Sequence, residues 1–332
     1  MTEDTATRAQ PTGPARRLAP SLPTLAALGL LLLGLGLIYT VGDKSSELVT
    51  QAVITGTLLG GVYALVSIGL TLIFGVLGIV NFAQGSLLTL AMYVAYVLTT
   101  DVGLNVYLAT LVTIPALFVV GYAVQSTMLN RLMRHGETEG QLLVTLGLSL
   151  LIVNLLLLGF GGLEKTIEPP LDGNVRLFGA VAPMSRVVAF LGAIVLAMLL
   201  TVLLQRTRLG LIIRSVAANA QGAQLVGVDT RRVFALTFGL GTATVGAAGG
   251  LVLPFLALTP TTGEQFTILA FVIVVLGGLG SVRGAIVGGL MVGLVQTVSG
   301  LYLPGTGALL LVFALFVIVL FVRPQGLFGS AP

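Results

Sequence analysis

Residues 52–79 read AVITGTLLGGVYALVSIGLTLIFGVLGI, a run without a single charged side chain. A bilayer core is about 30 Å thick and takes ~20 predominantly apolar residues of helix to cross, so this stretch is long enough to span one. It has nine companions in the chain: 22–41, 84–100, 104–127, 142–162, 187–205, 233–257, 266–280, 285–302 and 307–322. Each is expected to be helical, because a backbone facing lipid must satisfy its own hydrogen bonds. The totals agree with this. Only 8% of the 332 residues are charged, against about 25% in a soluble domain, and 56% are hydrophobic with a mean hydropathy of +1.08. So few charges cannot coat a globule of this size, which excludes a soluble enzyme. The fold expected is all-α, a polytopic transmembrane helix bundle of about ten spans.

Residues 1–20 are polar and rich in Pro, Thr, Ala and Arg, and read as a disordered cytoplasmic tail. The rest, 21–332, reads as one transmembrane domain. No small-x-small cleavage site follows 22–41, so that run is expected to remain as a first span rather than leave as a signal peptide. The stretch 266–322 admits either two long spans or three short ones, split at 281–284 and 303–305. The positive-inside rule decides the count. Ten spans with cytoplasmic N- and C-termini place twelve of the sixteen basic residues inside, giving faces of +7 and −3. Nine spans would move Arg323 outside. The run 266–280 is short for a crossing and is expected to be a broken or tilted helix. Asp101 and Glu264 then fall at span boundaries on the outer face.

The absences narrow the chemistry. There is no Cys and only one His, His135, which leaves no thiolate nucleophile, disulfide or paired-ligand metal site. No catalytic, cofactor-binding or metal-ligating residues are expected. No Asp, Glu, Lys or Arg lies within an expected span, which argues against a proton- or ion-coupled carrier. No phosphate-binding Gly-x-x-x-x-Gly-Lys motif occurs, so ATP-driven work would need a separate ATPase chain. The net charge of +4 reflects sorting by membrane side rather than nucleic-acid binding.

The longest cytoplasmic loop, 206–232, reads RTRLGLIIRSVAANAQGAQLVGVDTRR. Its composition is helical between Leu211 and Leu225, with a stop at Gly227. Its small residues suit close seating in another protein, and its arginines suit an acidic partner or anionic lipid. The plainer reading is a solvated loop obeying the positive-inside rule.

Four motifs now line up. Arg206-Thr207-Arg208-Leu209-Gly210, with Arg214, Ala217, Asn219, Ala223 and Gly227, resembles the coupling segment of ATP-binding-cassette importer permeases of the branched-chain amino acid type. Gly78-Ile79-Val80-Asn81-Phe82-Ala83-Gln84-Gly85 resembles that family's Asn-Phe-Ala-His-Gly signature, with Gln84 where His is common. Gly277 to Gly284 resembles its second glycine-rich signature, and Arg323 to Gly329 its C-terminal ending. The likeness runs from about Thr50 to the C-terminus and is nearest the LivH-type member of two paralogous permeases. It implies a bacterial cytoplasmic-membrane importer with cytoplasmic ATPase subunits, a second permease and an extracytoplasmic solute-binding protein. The loop would then be the ATPase contact. Urea or short amides are alternative cargoes, and a stand-alone facilitator or secondary carrier is the alternative machine.

Asn81, Gln84 and Ser86 at one helix break, and Ser281 at another, are the candidate translocation residues; interhelical hydrogen bonding is the plainer role for each. Asn154 and Gln296, at mid-span, read as helix–helix glue. A weak internal echo pairs Leu77-Gly78…Gly85 with Leu276-Gly277…Gly284, 199 residues apart. Glycines at small-xxx-small spacing (246/250, 280/284/288 and 289/293) read as helix-packing positions.

Overall fold

The computed structural model describes residues 46–133, 138–171, 173–177, 179–303 and 305–329. The expected tail, the first span at 22–41 and His135 lie outside the described residues.

Each apolar run from 52 onward falls on a helix: α1 Ser46–Leu77, α2 Gln84–Thr100, α3 Val106–Val124, α4 Thr138–Phe160, and, after a hairpin, α5 Met184–Arg206. The loop 206–232 holds α6 Arg208–Ala218 and α7 Ala220–Leu225. Then follow α8 Thr230–Val252, α9 Glu264–Gly277, α10 Val282–Gly300 and α11 Gly307–Val322. Past Val124, α3 continues through a π-helical turn, Gln125–Leu129, to Met133. Among the described residues six helices are long and apolar enough to cross a membrane; α9 and α11 are shorter apolar helices. The fold is nearly all-α rather than wholly so, because the polar stretch 163–186 forms a two-stranded antiparallel hairpin, β1 Asn174–Leu177 with β2 Ala180–Pro183.

The hairpin marks one end of the bundle. Gln51 of α1 clasps Val181, its Nε2 donating to the carbonyl at 2.6 Å and its Oε1 accepting from the amide at 2.8 Å. Lys165 and Leu258 exchange backbone hydrogen bonds there, and the Lys165 ammonium lies 5.4 Å from the Tyr96 ring centroid. The opposite, basic end carries Arg131, the arginines of 206–232, Arg283 and Arg323.

Helix α1 is the hub. Its Gly56 and Gly60 face Gly289 and Gly293 of α10 so closely that a Cβ on Gly289 would stand 2.6 Å from the Ala64 Cα. Without a side chain on either helix the backbones touch, which is how helices gain packing energy in lipid. At the α3–α8 crossing, Gly246 and Gly250 lie against Thr113 and Thr110 in the same way. The Thr113 hydroxyl donates to the Gly246 carbonyl at 3.1 Å, and that of Thr242 to the Leu117 carbonyl at 2.9 Å.

Candidate functional site

The first break follows α1. Gly78 takes a left-handed conformation, φ +71°, and its amide closes the helix on the Phe74 carbonyl at 2.9 Å. The chain then doubles back along α1 instead of leaving it. The Asn81 Oδ1 accepts from the Ala83 amide at 3.1 Å, its Nδ2 donates to the Gln84 Oε1 at 3.1 Å, and the Gln84 Nε2 donates to the Val66 carbonyl at 3.1 Å. Val66 lies eleven residues before the end of α1, about 16 Å along the helix. The Ser86 hydroxyl donates to the Ala83 carbonyl at 3.0 Å. The structure therefore brings together Asn81, Gln84 and Ser86 as expected, but buries all three and turns them inward on the backbone. An amide at position 84 both donates and accepts here.

Where α2 begins, it meets the start of α9. The Gly85 amide donates to Thr267 Oγ1 at 2.9 Å, and the Gly263 amide donates to Thr89 Oγ1 at 2.9 Å. The exchange is reciprocal, and in each partner glycine and threonine stand four apart. A Cβ on either glycine would collide with the other's carbonyl oxygen. From this junction α2 runs about 25 Å toward the hairpin end and α9 about 21 Å toward the basic end, which together approach a bilayer's full thickness of about 40–45 Å. The short run 266–280 is thus a half-length helix that starts inside the bundle. Glu264, expected at a span boundary, opens α9 beside the first turn of α2.

Ser281 sits apart, half-buried, its Oγ accepting from the Gly284 amide at 3.1 Å as the N-cap of α10. The glycine-rich turn between α9 and α10 is joined instead by the C-terminal segment. The amides of Leu327 and Phe328 donate to the carbonyls of Leu276 and Gly277 at 2.9 and 3.0 Å, and the Arg323 guanidinium holds the Leu327 carbonyl at 2.8 Å. Two motifs read separately in the sequence thus form one unit, with the chain ending supplying donors to the open C-terminus of α9. The suggested echo at 199 residues does not survive in space: Gly284 packs on Gly277 within one hairpin, whereas Gly85 packs on Gly263 and not on Gly78. Asn154 turns back to the Leu150 carbonyl of its own helix, at 2.7 Å, rather than to a neighbour.

The loop 206–232 is two helices where one was expected. Asn219 ends α6 and caps α7, its Oδ1 accepting from the Gly222 amide at 2.8 Å. Gly227 ends α7 at φ +88°, and the amide of Val228 returns to the Ala223 carbonyl at 3.0 Å. Gly210 is buried against the end of α5, and the Arg214 guanidinium donates to the Leu204 carbonyl. Ile213, Val216 and Ala223 pack inward with Ile68 and Leu72 of α1. Ala217, Arg206 and Arg208 are exposed, as are Leu225 and Val226 at 89% and 80%. Beside this contact a cavity of about 210 Å³ lies between α6, α1 and the α9–α10 turn, lined by Thr71, Gly75, Gln205, Arg214 and Gly280 among others.

The sequence pattern of the family described as the branched-chain amino acid transport system permease component matches residues 52–322, the span that contains both breaks, the reciprocal junction and the loop. The chain belongs to that family. It is 29% identical over 293 residues to the permease protein BraD of a high-affinity branched-chain amino acid transport system from Pseudomonas aeruginosa, covering 84% of this chain and 95% of the relative. It is 31% identical, with the same coverage, to the corresponding protein LivH of Escherichia coli. A probable branched-chain amino acid transport permease, LivH of Methanocaldococcus jannaschii, is 30% identical over 88% of this chain and 95% of its own. No solved structure matches this chain.

Proposed function

We propose that this chain is the membrane-spanning permease subunit of an ATP-driven importer of branched-chain amino acids, seated in the cytoplasmic membrane as a multi-pass bundle of about ten spans. The observation that carries this reading is the family match over 52–322, with relatives named for the same transport task. The separation of charge supports an orientation with the basic end, and both termini, on the cytoplasmic side. Residues 1–20 are then a cytoplasmic tail and 21–332 the permease domain.

In this reading the chain is not an enzyme. ATP is hydrolysed by separate cytoplasmic subunits, a second paralogous permease completes the pathway, and a solute-binding protein delivers cargo from outside. Helices α6 and α7 are the ATPase contact, with Leu225, Val226, Arg206 and Arg208 presented outward. Gly210, Arg214, Asn219, Ala223 and Gly227 hold the shape of that contact, and Ala217 borders its cavity. Movement of α6 reaches α1 through Ile213 and Val216, so nucleotide state biases a two-state bundle. Asn81, Gln84, Ser86 and Ser281 act on translocation by fixing the two breaks around which the helices rearrange.

The test is reconstitution in proteoliposomes with the ATPase, permease and binding-protein subunits that co-purify with this chain. ATP-dependent leucine accumulation is expected. Uptake without ATPases would make the chain a facilitator, and uptake of urea or an amide but not leucine would change the cargo.

A further inference from the structure

Glu264 is out of keeping with the rest of the surface at its depth. The Gly263 amide is bonded to Thr89, eleven residues before the end of α2, and Gly263 stands fourteen residues before the end of α9. Glu264 therefore lies about 17 Å from the level of one end and about 20 Å from the other, near the middle of a bilayer core about 30 Å thick. Its side chain is exposed and has no hydrogen-bond or ion-pair partner among the described residues. A carboxylate at that depth is costly against lipid and calls for water or a partner.

The segment leading into it is polar as well, while one turn further along α9 the exposed Ile268 returns the surface to apolar. Thr261 and Gln265 are exposed beside Glu264, and Thr259 and Thr262 are half-buried, their hydroxyls 2.9 Å apart. Other surfaces midway through the bundle are different in kind: Leu150 of α4, Val195 of α5 and Leu310 of α11 are exposed and wholly apolar. Asn154, a polar side chain exposed among such leucines, is already satisfied by its own helix. Lipid suits those faces and does not suit the strip Thr259–Gln265.

We propose that the segment Thr259–Gln265 lines a water-filled path through the assembled importer, and that Glu264 meets the ammonium group of the passing amino acid. This rests on the importer reading above. A zwitterion crossing the bilayer must keep its cation solvated or paired at mid-depth. One exposed carboxylate supplies that pairing without enclosing the solute, so that release stays easy.

The chain contains no cysteine, so single-cysteine variants need no background changes in this subunit, and labelling is read on its own band after the complex is separated. In the complete complex in proteoliposomes, Glu264→Cys and Thr261→Cys are expected to react with a membrane-impermeant cationic methanethiosulfonate at least tenfold faster than Leu150→Cys. Rates no faster than that of Leu150→Cys, in both nucleotide-free and ATP-trapped complexes, would overturn the water path. Glu264→Gln is expected to cut leucine uptake at subsaturating cargo about tenfold, with assembly of the complex unchanged and with Glu264→Asp restoring most of it. Uptake by Glu264→Gln equal to wild type would overturn the ammonium contact. Absence of leucine uptake by the wild type would instead count against the cargo assignment, leaving the labelling result to stand alone.

Discussion

The two glycine-rich breaks, 78–85 and 277–284, look alike in sequence and are built on opposite plans. Both follow a helix that ends on a left-handed glycine, Gly78 at φ +71° and Gly278 at φ +101°. After the first, the chain folds back along α1 and hides its amides against Val66, so α2 starts deep inside the bundle. After the second, it makes a tight hairpin at the basic end, and the chain terminus supplies the missing donors. A break that places helix ends in the interior needs side chains and a partner helix to satisfy them. A break at the surface can recruit backbone from elsewhere. The lesson is that a glycine-rich signature specifies where a helix stops, and its neighbours decide what the stop is for.

The largest expected effect lies at the interior break. Gly85→Val places branched carbons against the Gly263 carbonyl and pushes α2 from α9, breaking both reciprocal hydrogen bonds. Overpacking costs about 1–3 kcal/mol and each lost hydrogen bond about 1 kcal/mol. A loss above about 3 kcal/mol is expected, seen as collapse of the folded yield and thermal stability in detergent. A variant with wild-type stability would mean that the two helix starts are not joined as described.

At the surface break the expected effect is intermediate, and it depends on the C-terminus. Gly278→Ala strains a left-handed residue and also sets a Cβ 2.5 Å from the Gly329 amide nitrogen. We expect a loss of about 2–3 kcal/mol, the backbone share being roughly 1–2 kcal/mol and the remainder steric. Removing residues 323–332 deletes the colliding strand together with the two amides that cap α9, and is itself destabilising. In that truncated background, Gly278→Ala should cost only its backbone share. A double-mutant cycle in thermal or chemical denaturation measures the difference, and simple additivity would show that the C-terminal segment does not press on this turn.

Much of the helix architecture was legible in residues 52–322, because uncharged runs near twenty residues have few alternatives in lipid. The shortness of 266–280 pointed to a broken or tilted helix, and its pairing with α2 came only with the fold. The reciprocal junction was not legible, since Gly85 with Thr89 and Gly263 with Thr267 are ordinary spacings until the fold brings them together. The C-terminal stitch was hidden for another reason: its link to α9 is backbone to backbone, and the one side chain that takes part, Arg323, bonds within the segment itself. Asn219 divided an expected single helix because its side chain caps the following turn better than it continues the preceding one. The roles of Asn81 and Gln84 were only half legible. Their clustering was visible, but whether they face a path or the backbone depends on how the chain reverses after Gly78.

The smallest expected effect tests whether the likeness of the two breaks is local geometry alone. Gly78 shares a positive φ with Gly278, yet a Cβ added to it would meet no atom within 4 Å. Gly78→Ala therefore isolates the backbone term, and about 1 kcal/mol of destabilisation is expected. It should cost no more than Gly278→Ala does in the truncated chain, because steric pressure is absent in both and Gly278, at φ 101° and ψ 121°, lies further from the conformations open to other residues. Transport should be affected little, since the Asn81–Gln84–Val66 bonds that place α2 do not involve this residue. A much larger loss of stability would mean that the reversal after α1 tolerates no strain at its pivot. A loss of transport without loss of stability would point elsewhere, to Gly78 flexing as the helices rearrange. Thermal unfolding and ATP-dependent uptake, measured on the same preparation, separate the two outcomes.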